Sequence, residues 1–315
     1  MPEKFIIYET FAFGDTLYAG AFARWLREQP GVGKVVFVCA RRTAALPLKE
    51  FFKVDEVVVV DVPWDAPRWW GSVGGIMKFL RLLFRPGFLV RGAVPVCPRG
   101  GLLQGLLVFR MTGRLMWSGS VPEKGRWFAS LINGAVGEPI LKARRDFAVK
   151  LAGCFGWPTD PVDVWKTIKP APTPLEGIAY AVICPEGSVP ARYWTGEAWR
   201  ELISYFREAG LKVVLVRFKG DAGLGESDAD ILWRGDIAEM ASLLAGARRV
   251  VALDSFAAHL AALVGAPLCV LFGRPGAEEI WTPHSSGGVI CCASVPLRAL
   301  PASEVIGKLS LASPR

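Results

Sequence analysis

The run VVALDSFAAHLAALVGAPLCVLFGRP, residues 250–275, constrains the fold more tightly than any other stretch of the chain. It reads as an apolar β-rich run, an acid and a hydroxyl, an alanine-rich helical stretch, a Gly-Ala-Pro turn and a second apolar β-rich run. Two strands separated by a helix cannot pair as a hairpin. The helix carries the chain back over the sheet, so the strands run parallel through a right-handed crossover. Strands that are apolar on both faces need helices on both sides. The same alternation opens the chain, with the helical stretch TLYAGAFARWLREQPG between KFIIYET and KVVFVCA, followed by EVVVVDV. It resumes with IAYAVICP, KVVLVRF, RVVALD and PLCVLFG. Between the two series lies KPAPTPLEG, residues 169–177, punctuated by proline and free of periodicity. The pattern predicts an α/β chain of two doubly wound, Rossmann-like domains, 1–168 and 178–315, joined by a linker at 169–177 and facing each other across a cleft. Ligands of such sheets sit beyond the carboxyl ends of strands, which singles out the loops after Tyr8, Cys184, Phe218, Leu253 and Phe272.

Composition agrees with this reading. Hydrophobic residues make up 52% of the 315, as sheets covered on both faces require. No apolar run approaches the ~18–20 residues that span a bilayer. The N-terminal MPEKFIIYETF carries acids where a secretory signal is basic and then apolar, so a cytoplasmic location is expected. The seven cysteines are scattered, odd in number and never spaced C-x-x-C. Cys39, Cys184 and Cys269 fall in strands as small hydrophobes, and the adjacent Cys291 and Cys292 must point to opposite faces, so no metal site is expected.

Charge is unevenly placed. The net +8 divides into +10 over residues 1–175 and −2 over the remainder, and no carboxylate occurs between Asp65 and Glu123. That window holds eight cations: Arg68, Lys78, Arg81, Arg85, Arg91, Arg99, Arg110 and Arg114. Such a field suits an anionic partner; a solvated basic face is the alternative. Within it, GIMKFLRLLF can place Ile76, Phe79, Leu80 and Leu83 on one helical face, which is expected to pack mainly inward.

Three motifs carry candidate chemistry. Asp254 and Ser255 stand where a strand gives way to a helix. Either caps that helix, or the free N–H groups beside them hold a phosphate, with His259 one turn deeper. CPEGSVPARYWTGEAW, residues 184–199, supplies Gly187 and Ser188 for a tight turn and Arg192 before the next helix, a planar fork of donors suited to a diphosphate. In YETFAFGDTLYAGAF, residues 8–22, Gly14 and Asp15 follow the first strand. Asp15 is either a helix N-cap or a general base. The Asp228-Ala229-Asp230 run has the D-x-D form that binds divalent cations elsewhere, but here it reads as a solvated loop.

Taken together, GD after the first strand, PEGSVPARYWTGEAWREL and LLAGARRVVALDSFAAHLAALVGAPLCVLFG resemble the lipopolysaccharide heptosyltransferases of glycosyltransferase family 9. The resemblance is strongest over 184–202 and 243–273. It implies a GT-B fold and an inverting, metal-independent sugar transfer, usually from ADP-heptose, with no cofactor beyond that nucleotide-sugar donor. Asp15 falls where the family places its base. Gly187, Ser188 and Arg192 fall at the donor phosphates, where a lysine is usual at 192, and Asp254, Ser255, Phe256 and His259 fall in the donor signature. The implied acceptor is an anionic glycolipid or glycan at the inner membrane; Gly14 and, from the acid-free window, Arg81, Arg85 and Arg91 are the candidates to meet it, with peripheral contact with that membrane surface expected and nucleic acid not expected as a partner. Two departures leave an alternative open. Phe256 replaces a glycine, and the loop KGDAGLGESDAD offers only Asp221 or Glu226 for an expected glutamate. The chain would then be a non-catalytic or donor-switched relative that binds another nucleotide sugar or a protein partner.

Overall fold

Short runs of valine, isoleucine and phenylalanine form strands because their branched or flat side chains pack well on a pleated surface. In the computed structural model, which describes residues 3–65, 69–84, 90–98, 102–118, 132–135, 151–157, 168–218 and 223–311, they build two separate parallel sheets. The chain divides into two compact units, Met1–Lys166 and Thr167–Arg315.

The first sheet comprises β1 (Glu3–Glu9), β2 (Val32–Ala40), β3 (Glu56–Val60), β4 (Val94–Cys97), β5 (Met116–Ser118) and β6 (Ile132–Ala135), in the order β3-β2-β1-β4-β5-β6. Helix α1 (Phe13–Arg27) follows β1, with α2 (Leu48–Phe52), α3 (Val73–Leu83) and α4 (Leu102–Thr112) after it. α1 lies close against α2 because Gly20 has no side chain: a Cβ there would stand 2.4 Å from the Phe52 ring.

The second sheet comprises β7 (Tyr180–Cys184), β8 (Lys212–Val216), β9 (Ile231–Trp233), β10 (Arg249–Leu253), β11 (Leu268–Phe272) and β12 (Val289–Ala293), in the order β12-β11-β10-β7-β8-β9. Read from the other edge, this is the order of the first sheet. Its helices are α5 (Gly196–Glu208), α6 (Ile237–Gly246), α7 (Phe256–Leu263), α8 (Ala277–Trp281) and α9 (Ala302–Leu311). Alternate strand residues (Ala181, Ile183, Val213, Leu215, Val251, Leu253) turn to one face and meet Trp199, Leu202 and Phe206 of α5. Thr195 caps α5 by accepting the Ala198 N–H at 3.2 Å. Asp236 and Glu239 form a reciprocal capping box on α6. Segment 169–177 is tied to the second unit on either side, by the Ile168 N–H on the Leu263 carbonyl at 2.8 Å and by the hydroxyls of Thr173 and Tyr180, 2.7 Å apart.

Three local expectations change. Asp15 is not a cap: α1 begins at Phe13 with Ala12 at its N-cap, so Gly14 and Asp15 lie in the first turn. The apolar face of α3 is only half inward. Phe79 and Leu83 pack on the core of the first unit and Leu82 is buried, whereas Ile76 and Leu80 are exposed. Asp228 and Asp230 are not simply solvated. Asp228 pairs with Arg200 at 3.2 Å and Asp230 with Arg207 at 3.2 Å, while an Asp230 oxygen accepts the Val213 N–H at 2.7 Å. These two carboxylates fasten α5 to the sheet edge. Cys292 is buried and Cys291 half-buried, on opposite faces of β12 as expected. No helix among the described residues is long and apolar enough to cross a membrane.

Candidate functional site

In a doubly wound sheet the loops of the two strands at which the order reverses leave in opposite directions, opening a crevice beyond their carboxyl ends. In the second sheet those strands are β7 and β10, paired from Ala181 opposite Arg249 to Cys184 opposite Ala252. The segments that leave them side by side are Pro185-Glu186-Gly187-Ser188 and Asp254-Ser255.

A narrow cleft opens there, lined by Gly187, Ser188, Val189, Arg192, Leu253, Asp254, Leu271 and Gly273. Four expected site residues, Gly187, Ser188, Arg192 and Asp254, are thus brought together. Ser255 borders them, its Cβ within 3.8 Å of where a Gly187 side chain would begin. Ser255 is the N-cap of α7, but its hydroxyl makes no capping bond; Oγ is buried without a hydrogen-bond partner among the described residues. A buried hydroxyl with no partner costs on the order of 1–3 kcal/mol, a cost that a hydrogen-bonding ligand in the cleft would relieve. The N–H groups at the start of α7 carry the positive end of its dipole.

Arg192 is half-buried at the end of a single 3₁₀ turn, Pro190–Arg192, and its guanidinium forms no ion pair among the described residues. Its placement depends on Gly273, where a Cβ would come within 3.1 Å of the Leu297 Cβ and 3.5 Å of the Arg192 Cβ. The Tyr193 hydroxyl donates to the Gly187 carbonyl at 2.8 Å and fixes the turn between them.

Two participants were not foreseen from the sequence. Arg274, just past β11, donates to the Asp254 carboxylate and lies over the Trp281 ring at 5.7 Å. It offsets the one acid in the cleft wall and leaves Arg192 as surplus positive charge. Glu186 is 7% exposed; it accepts the Phe218 N–H at 3.1 Å and faces Arg217 at 3.5 Å, binding the β7 loop to the β8 loop. Burial first, and then the nearby Glu186 carboxylate, pushes the Cys184 thiol up, so it stays protonated and inert. Arg274 lies in a loop that the fold rule singled out, and its position there was the available signal.

Phe256 and His259 lie on α7 outside the cleft lining. The Phe256 ring meets the half-exposed Phe218 edge-on at 6.5 Å. Glu226 is paired with Arg234, and Asp221 lies outside the described residues, as does Arg85. A wider surface depression of about 610 Å³ runs along α5, but its charged lining is Glu197, Glu201 and Glu208 against Arg200 alone, a net negative wall that disfavours an anion. In the first unit the order reverses between β1 and β4, and Gly14 and Asp15 stand just past β1. Arg81 and Arg91 are exposed.

Residues 163–301 match the model of glycosyltransferase family 9 (heptosyltransferase). This part of the chain resembles a family 9 domain. The matched segment falls almost wholly within the second unit and contains the whole cleft. The chain is 31% identical over 139 residues to lipopolysaccharide heptosyltransferase 1 of Salmonella typhimurium, covering 41% of this chain and 43% of the relative. It is 35% identical over 109 residues to lipopolysaccharide heptosyltransferase 1 of Pseudomonas aeruginosa, covering 32% and 31%. The chain spans less than half the length of these curated relatives. The solved structure of E. coli heptosyltransferase WaaC with ADP superposes with a TM-score of 0.74 at 18% identity, over 98% of this chain and 99% of that one. That likeness is one of fold, and it extends the two-unit GT-B architecture to the part of the chain before the matched segment.

Proposed function

We propose that the chain transfers a sugar from a nucleotide-diphosphate donor, ADP-heptose or a close analogue, to a hydroxyl of an anionic, lipopolysaccharide-type glycan, with inversion and without a metal. The observation that carries this reading is the cleft at the β7/β10 reversal, which is lined by the Arg192 guanidinium, without an ion pair among the described residues, and bordered by the buried Ser255 hydroxyl. Both are hydrogen-bond donors of the kind an oxyanion requires. As the acceptor oxygen forms its bond to the anomeric carbon, the bond to the diphosphate breaks and the charge passes to the leaving group. Arg192, Ser188, Ser255 and the first N–H groups of α7 stabilise that charge in place of a cation. Asp254 is held by Arg274 as a neutral wall, while Phe256 and His259 sit on α7 outside the cleft lining. Asp15 takes the proton released by the acceptor hydroxyl. Its place at the corresponding reversal of the first sheet supports this role, and the cations Arg81 and Arg91 favour an acidic acceptor.

Calorimetry with ADP, UDP and GDP in chelator tests the donor side. ADP is expected to bind, and Arg192→Gln and Ser255→Ala to weaken it by about tenfold or more, the loss of one charge-assisted or one neutral hydrogen bond. Asp15→Asn is expected to abolish turnover with ADP affinity kept. The Phe218–Phe256 pair supports a second reading in which the base differs. Binding of UDP or GDP in preference to ADP selects it, and binding of none of the three overturns both.

A further inference from the structure

α3 is amphipathic twice over. At 100° per residue, Gly75, Phe79, Leu82 and Leu83 point to one side, and they are buried or packed on the core of the first unit. Val73, Ile76, Met77, Leu80 and the C-cap Phe84 form a second stripe at i, i+3, i+4, i+7 and i+11, within roughly a 100° arc. Every residue of this second stripe is exposed, Val73 at 80% and Phe84 at 64%. Trp70, 66% exposed, stands just before the helix. Lys78 and Arg81 occupy the next arc, and both are exposed. No acid lies anywhere from 66 to 122.

A core requires only the first stripe. The second places contiguous large apolar side chains in water, which soluble proteins rarely do without a partner. Its neighbours decide what the partner is. An apolar arc bordered lengthwise by a basic arc, with aromatic residues at both ends of the helix, matches a bilayer interface, where acyl chains lie just beneath anionic headgroups. At 11 residues the helix is too short to span a membrane and long enough to lie in its surface.

We infer that α3 docks the protein on an anionic lipid bilayer, inserting Val73, Ile76, Met77, Leu80 and Phe84 shallowly while Lys78 and Arg81 meet the headgroups. This goes beyond the proposed transfer reaction and does not depend on it: the surface lies wholly in the first unit, and its test uses neither donor nor acceptor.

The test is co-sedimentation of the full chain with phosphatidylethanolamine–phosphatidylglycerol vesicles, against phosphatidylcholine vesicles, together with the mass in solution by light scattering. Binding to the anionic vesicles alone is expected. Ile76→Ser with Leu80→Ser should weaken it roughly tenfold or more even at low salt, because the apolar contribution is lost, with ADP affinity unchanged. Lys78→Gln with Arg81→Gln should weaken it about fivefold per cation, and salt should erase that difference. Far-UV circular dichroism of each variant reports whether it has folded. Binding that is indifferent to the serine pair overturns the proposal. So does a chain that ignores vesicles but passes from dimer to monomer in the serine variant, because the stripe would then join two copies.

Discussion

Replacing Arg274 by glutamine removes the counter-charge of Asp254 without emptying the site. The pair is partly exposed, with side chains 34% and 13% accessible, so solvent screens it and the cost to folding is modest, about 1 kcal/mol. The effect on ligand is larger. With Arg274 in place the cleft meets a diphosphate with Arg192 and a neutralised carboxylate. Without it, Asp254 stands bare on the wall. A like-charge pair a few ångströms apart is worth ~2–4 kcal/mol at an effective dielectric near 20, or about 30- to 1,000-fold in ADP affinity. Asp254→Asn alone frees Arg274 to meet the phosphates and should hold or raise affinity. The double variant should regain most of what Arg274→Gln loses. Calorimetry on the four proteins closes the cycle and isolates the interaction from either residue's own contacts. Losses that simply add, or an Arg274→Gln variant that binds ADP normally, would refute this electrostatic account.

Three further perturbations separate structure from chemistry. Gly20→Ala should destabilise the first unit by about 2–3 kcal/mol in a denaturant melt, because its Cβ enters the Phe52 ring, and Phe52→Leu in the same chain should return part of the loss. Burial raises the Cys39 thiol from 9.0 to about 11 and raises Cys184 further. The unfolded chain therefore releases these protons first as pH rises. Stability should be full below pH 9 and fall by about 1.4 kcal/mol per pH unit for each thiol above it, with Cys39→Ala removing one share in urea melts at pH 8 to 11. Asp228→Asn with Asp230→Asn should lower Tm by loosening Arg200 and Arg207, yet leave ADP affinity unchanged with or without added Mg²⁺; a fall in affinity that Mg²⁺ governs would give the pair a metal-binding role.

β7, β8, β10 and β11 of the second unit are legible because each is five residues of nearly continuous apolar chain, in a unit whose helices carry clear caps such as Thr195 and Asp236. β4, β5 and β6 are not: VPVC, MWS and INGA are three or four residues long, and Pro95 sits inside a strand flanked on both sides, where a proline argues against one. The cleft was readable at Gly187, Ser188, Arg192 and Asp254 because strand ends and helix starts are local signals. The Arg274–Asp254 pair was not, because a whole strand separates its members and only the parallel register of β10 and β11 brings them level. The same holds for Asp228 and Asp230, whose arginines lie on α5 more than twenty residues earlier. For α3, periodicity identified an amphipathic helix, but which part of a broad apolar arc faces inward is decided by packing.

The repeated strand order has a consequence for how such a chain can be altered. Among the described residues, each unit closes its own six-strand sheet from one length of chain, and neither borrows a strand from the other. Under the proposed function, the instructions for what is received and for what is given are therefore written in consecutive, non-interleaved halves. A substitution beyond β1 or β4 edits the first without repacking the sheet beneath the second. A chimera joined near residues 166–167 cuts no sheet, so acceptor preference should travel with the piece before the seam and nucleotide preference with the piece after it.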